Sequence, residues 1–177
     1  MNTNISTQTK FLFNKTKLII ALIASLYFAY YCFSSTEWHF IDNVNLLIHE
    51  AGHVIFIFFG EFMNILGGSL FQILFPLVFV IYFYRNRDYF SASLLLFWVG
   101  QNFINVSVYA SDAILMQLPL LGGDSSIHDW NYLLQKLGVI RHTDVIGQSI
   151  YIIGVVVIVL AIYFSFYFAL NSEENIA

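Results

Sequence analysis

The chain gathers its few charges into short intervals between long apolar runs, and that pattern decides the class of fold. A membrane-spanning helix needs about 20 consecutive apolar residues, and runs of that order recur along the whole chain. Of the 177 residues, 59% are hydrophobic and only 10% are charged. The pattern predicts an integral membrane protein of the all-α class. Its expected form is one polytopic helical bundle over 18–170, with membrane helices near 18–34, 38–60, 69–84, 90–118 and 145–170. A short interfacial helix is expected near 127–137, between a polar N-terminal segment, 1–17, and an acidic tail, 171–177. This length accommodates four to six membrane helices and no separate soluble domain.

Lys10, Lys15 and Lys17 precede the first run, and Tyr27, Tyr30 and Tyr31 near its end suit an interface. The reading is a transmembrane helix with a cytoplasmic N-terminus, in a multi-pass protein of the cell membrane. A cleaved signal peptide is the alternative, since Ser34 and Ser35 are small. The second run then ends on the cytoplasmic side at Gly60. Gly67-Gly68 supplies the next turn, and Pro76 is expected to kink the third helix. Arg85, Arg87 and Asp88 fall outside, against the positive-inside trend. Cys32, the only cysteine, lies in an apolar run and reads as a packing residue. With a net charge of −4 and no basic cluster, nucleic acid is not an expected partner. The lipid bilayer is.

Within the second run stands His49-Glu50-Ala51-Gly52-His53, an HExxH motif. Residues four apart lie about 40° apart around a helix and about 6 Å apart along it, so the two imidazoles can share one ion. Zinc takes imidazole nitrogen at about 2.0–2.1 Å, and catalytic sites keep three protein ligands with a fourth position for water. Glu50, about 100° round from His49, is placed to take a proton from that water. Ionisable groups inside hydrocarbon are costly and are normally retained for function. Asp42, Asn45, His49 and His53 recur at helical spacing and form one polar stripe.

The third ligand is open at this stage. Asn102, Asn105, Tyr109 and Asp112 share a face of the fourth membrane helix and can face the same cavity, with Asp112 either a ligand or a carboxylate orienting one of the histidines. Downstream, Asp124, His128 and Asp129 lie in a segment short enough to fold back into the bundle, with Ser126 as a helix cap. By ligand type, His128 is preferred. Asp129 also reads as an N-terminal helix charge and Trp130 as an interfacial anchor. Gln72 reads first as an interhelical hydrogen-bonding group. Gly147 and Gly154 can permit close helix contact.

A glycine before the second histidine, submerged in a polytopic membrane protein and followed by a Pro/Gly-rich polar segment, resembles the site-2-protease family of intramembrane zinc metallopeptidases. The similarity covers Asn43 to Gly123. The resemblance implies His49 and His53 as zinc ligands and Glu50 as the general base. The family's third ligand is an aspartate in an LDG-type motif, whereas Leu118-Pro119-Leu120-Leu121-Gly122-Gly123 carries leucine at that place. It also implies hydrolysis of a peptide bond in a membrane-protein substrate, with Asn102 or Asn105 supporting the oxyanion or an extended substrate. The alternative is a non-proteolytic metal-binding or scaffold protein that keeps an HExxH site.

Overall fold

The structure is a computed structural model describing residues 14–118 and 128–171. Among those residues it is all-α, as the apolar runs predict. Asn14 opens α1 (Lys15–Phe33) by accepting the Lys17 N–H on its side-chain oxygen, which satisfies one of the free donors at a helix start. The second helix, α2 (Phe40–Phe56), starts where the Asp42 carboxylate accepts the His39 N–H at 2.8 Å. A single 3₁₀ turn, Ile57–Phe59, leads to Gly60, whose φ of +89° turns the chain into α3 (Glu61–Arg85). Asp88 caps α4 (Tyr89–Ser111), His128 caps α5 (Asp129–Lys136), and α6 (Thr143–Leu170) closes the described chain.

Three of these boundaries differ from expectation. The turn lies at Gly60, and Gly67-Gly68 sit inside α3, where the missing side chains are spent on close packing instead. The fourth membrane helix ends at Ser111, because the Asp112 carboxylate accepts the Gln117 and Leu118 N–H groups at 3.0 and 2.9 Å and turns the chain. His128 is the cap of the short helix, its Nδ1 accepting the Asn131 N–H. Ser126, Asp124, the Pro119–Gly123 stretch and the acidic tail lie outside the described residues.

α4 is the central element, flanked by α1, α3 and α6. Against α6 it is seated by small residues: a side chain at Gly154 would come within 2.6 Å of Ile104 and 2.8 Å of the Gly100 carbonyl. Close approach of this kind is how helices pack in lipid, where no hydrophobic force favours one apolar neighbour over another. Gly154 and Gly147 thus have the contact role expected of them. Tyr31, Phe97, Ile104 and Ile158 fill the core between α1, α4 and α6.

Among the described residues, four segments are long and apolar enough to cross a membrane: α1, α3, α4 and Ile140–Leu170, which includes α6. The large exposed apolar surface of these helices fits a multi-pass membrane protein. The helix carrying HEAGH, of 17 residues, is not among the four. The directions of its neighbours show how it lies in the bundle. The Asn14 N–H donates to the Ala169 carbonyl, and the Tyr151 hydroxyl donates to the Cys32 carbonyl, so α1 and α6 are antiparallel. α4 is antiparallel to α6 as well, since Phe90 packs with Ala169 while Gly147 meets Ser111. α3 joins α4 through a tight turn at Arg87, and so runs opposite to α1. α1 therefore ends where α3 begins. α2 leaves and returns to the same end of the bundle without crossing it.

The same geometry corrects the placement of the arginine turn. Lys17 Nζ lies 5.4 Å from the centre of the Phe90 ring, and Phe90 packs with Ala21. Lys15 and Lys17 therefore share one end of the bundle with Arg85 and Arg87. At the opposite end lie α5, the Ser34–His39 loop and the start of α6.

Candidate metal centre

The α2–α3 hairpin closes unusually tightly around the two histidines. A Cβ at Gly52 would run into the Gly67 carbonyl, and one at Gly67 would come within 2.7 Å of Phe56. With both positions bare, the backbones approach and His49 and His53 lie directly over Gly68. A Cβ there would sit 2.5 Å from His49 Nε2 and 2.7 Å from His53 Nε2. The glycine pair makes the hollow that the imidazoles occupy.

Into this hollow α5 brings a third group. Its first residue, Asp129, has Oδ2 at 2.9 Å from His49 Nε2 and 3.3 Å from His53 Nε2. The helix is docked by three bonds that fix this position: the Asp129 N–H to the Tyr109 hydroxyl, Trp130 Nε1 to Ser69 Oγ, and Asn131 Nδ2 to the Ala113 carbonyl. One ligand atom from each of His49, His53 and Asp129 lies within 4.8 Å of the others, and the three could hold a metal ion. Burial raises the Asp129 carboxyl, but when the two imidazoles are protonated their bonds and charges outweigh it and hold the group below its ordinary value. It is a carboxylate at neutral pH, the form a metal requires.

The outer ring nitrogens reveal what the inner ones offer. His53 Nδ1 lies 2.8 Å from the Asn64 carbonyl, which can only accept, so Nδ1 carries the proton. His49 Nδ1 lies 3.2 Å from Gln72 Oε1. The orientation of that amide follows from a buried chain: Gln72 Nε2 donates to Asn105 Oδ1 at 2.8 Å, and Asn105 Nδ2 donates to Asp42 Oδ1 at 3.1 Å. Asp42 terminates the chain because both its oxygens are engaged as acceptors, Oδ2 by the His39 N–H. Its Oδ1 also accepts from the Tyr31 hydroxyl and Gln101 Nε2. Both imidazoles are thus held with Nδ1 protonated and Nε2 presented to Asp129. In neutral rings that sets two lone pairs against a carboxylate oxygen, an arrangement that requires a cation or a proton between them.

Metal-binding histidines are characteristically fixed through their outer nitrogen in this way, and loss of such a partner costs about 10–100-fold in affinity. Gln72→Leu should accordingly weaken metal binding by about that factor while leaving the helices formed. Competition titration against a chelator of known affinity measures it.

Of the residues singled out in the sequence, His49 and His53 are brought together as the motif spacing predicts. Glu50 is exposed and lines the same cavity as His49. His128 and Asp112 are not brought to the histidine pair. They face each other, His128 Nε2 to Asp112 Oδ2 at 3.3 Å, with the Tyr109 ring packed 4.5 Å from His128 and 5.8 Å from His49. Asp129, and not His128, lies against the histidine pair. Asn102 donates to the Trp98 carbonyl within α4, and Asn105 is committed to the Asp42 chain. The Asn64 carbonyl went unseen because a backbone group carries no sequence signal.

A cavity of about 500 Å³ reaches this centre. It runs from Thr36 and Trp38 past Asp42 to His49, Glu50 and Tyr109, with Leu46, Val106, Val108 and Leu118 forming apolar wall. Comparison with models of protein families, with curated proteins and with solved structures found no match.

Proposed function

We propose that the protein is a membrane-embedded zinc metallopeptidase, in which His49, His53 and Asp129 hold the ion and Glu50 is the general base. The observation that carries the reading is the convergence of three acceptor atoms in one buried hollow, with both outer imidazole nitrogens already committed. Two imidazoles and one carboxylate are a donor set found in catalytic zinc sites, which leave a fourth position for water. In a tetrahedral site with bonds of about 2.0–2.1 Å, ligand atoms stand about 3.3 Å apart. The Asp129 oxygen stands near that spacing from each Nε2, at 2.9 and 3.3 Å.

In this reading zinc supplies Lewis acidity and lowers the pKa of bound water. The chain's own part is to fix the ligands and to present Glu50 from the cavity wall, one residue from His49, where it accepts the water's proton. The apolar wall of the cavity suits a segment of a membrane protein as substrate. Such a segment must be extended, because a helical peptide bond is shielded by its own hydrogen bonds. This reading agrees with the site-2-protease resemblance of the HEAGH segment, with Asp129 in place of the LDG aspartate.

The test is hydrolysis of a library of quenched fluorogenic apolar peptides by purified, zinc-loaded protein. Glu50→Gln should keep its zinc and lose about 10²–10⁴-fold in rate, the usual contribution of a positioned base. If Glu50→Gln matches the wild type, or the wild type cleaves nothing, the metal-binding scaffold is the better reading.

A further inference from the structure

We propose that this centre works from the extracytoplasmic face, drawing an extended peptide segment through a mouth between the Ser34–His39 loop and α4. The orientation rests on the fold alone; that the occupant is a peptide rests on the proposed hydrolysis.

Two observations carry it. The first is the distribution of cations between the two ends. Among the described residues, Lys15, Lys17, Arg85 and Arg87 lie at one end, while the other end has Lys136 and Arg141. Lys and Arg flanking membrane helices accumulate on the cytoplasmic side, and short loops follow this rule best. The Arg85–Asp88 turn is as short as such loops become. Read from sequence alone, with HEAGH on a crossing helix, this turn broke the rule. With α2 returning to the end it left, the arginines and the N-terminal lysines fall on the same side and the exception disappears.

The second observation is which end of the bundle the cavity shares with the centre. Thr36, Glu37 and Trp38, from the loop between α1 and α2, line it together with His49 and Glu50, and all three loop residues are exposed. Thr36 also lines a second cavity with Asp112, Asp144, Gly147 and Tyr151. The loop therefore belongs to the end that carries α5 and the start of α6, opposite the lysines and arginines. The same cavity is lined by Asn105, Val108 and Tyr109 of α4 and by His49 and Glu50. A cytoplasmic segment would have to cross the bundle to reach the metal. One lying at the outer face reaches it directly.

The experiment labels single cysteines in spheroplasts of cells expressing the full chain, in a Cys32→Ser background. Thr36→Cys reports the mouth and Asn86→Cys the arginine turn; both positions are exposed and neither is a ligand. A membrane-impermeant maleimide should label Thr36→Cys in intact spheroplasts and Asn86→Cys only after permeabilisation. As a second readout, a fluorescent protein that matures only in the cytoplasm, fused at the C-terminus, should fluoresce, because α6 ends at the lysine end. Labelling of Asn86→Cys but not Thr36→Cys in intact spheroplasts, or a dark fusion, overturns the orientation whatever the enzymatic result. For the substrate route, a bulky maleimide on Thr36→Cys should stop peptide hydrolysis without changing zinc content, and undiminished hydrolysis overturns the route. If labelling follows the expected pattern but the unmodified protein cleaves nothing, the peptidase reading fails while the orientation stands.

Discussion

Asp129→Ala should strip the metal from an otherwise folded protein, whereas His128→Asn should leave it bound. The two residues are neighbours in sequence, and only the structure separates their roles. Asp129 places Oδ2 against both imidazoles, and His128 faces Asp112 while capping α5. Removing an outer partner of a ligand costs about 10–100-fold in metal affinity, so loss of a ligand itself should exceed about 100-fold. Asparagine at 128 retains a good helix cap, which costs about 1 kcal/mol when lost altogether, so α5 stays formed. Equal metal loss in both variants would mean that α5 docking, and not the Asp129 carboxylate, holds the site together. Dissociation constants from chelator competition, with circular dichroism to verify the helices, decide between them.

Gly68→Ala should abolish metal binding even though it favours the helix that carries it. Alanine is better than glycine in a helix interior by about 1 kcal/mol, so α3 itself gains. The new methyl carbon would nevertheless stand 2.5 Å from His49 Nε2 and 2.7 Å from His53 Nε2, where the metal-facing nitrogens lie. Neither imidazole can retreat without giving up its outer bond, to Gln72 for His49 and to Asn64 for His53. The expected result is a protein that keeps its helical content and holds no metal. Wild-type affinity in Gly68→Ala would show that the α2–α3 hairpin is looser than its close packing requires.

How far the sequence carries is plainest at α2. The HExxH spacing and the stripe of Asp42, Asn45, His49 and His53 foretell one buried polar face, and all but His53 are buried. The stripe is one connected object: Asn45 bridges Gln101 and Trp98, and Asp42 anchors the chain that reaches His49. What periodicity could not convey is that the helix lies between an α1 and an α3 that meet at the same end of the bundle. An apolar helix that turns back looks locally like one that continues, and the difference lies in the directions of α1, α3, α4 and α6. Gly67-Gly68 was ambiguous for a related reason, since glycine serves a turn and a close approach equally well. Ligand type favours histidine, whereas which of His128 and Asp129 meets His49 and His53 is decided by the bonds that dock α5 on Tyr109, Ser69 and Ala113.

The central claim is that His49, His53 and Asp129 form one metal centre, and X-ray absorption at the zinc edge on detergent-purified, zinc-loaded protein tests it most directly. The account predicts one tightly held zinc per chain, with two imidazole nitrogens at about 2.0–2.1 Å, carboxylate and water oxygen completing the shell, and no sulfur. A folded protein that binds no zinc, or a bound zinc whose spectrum lacks the imidazole pair, would contradict it.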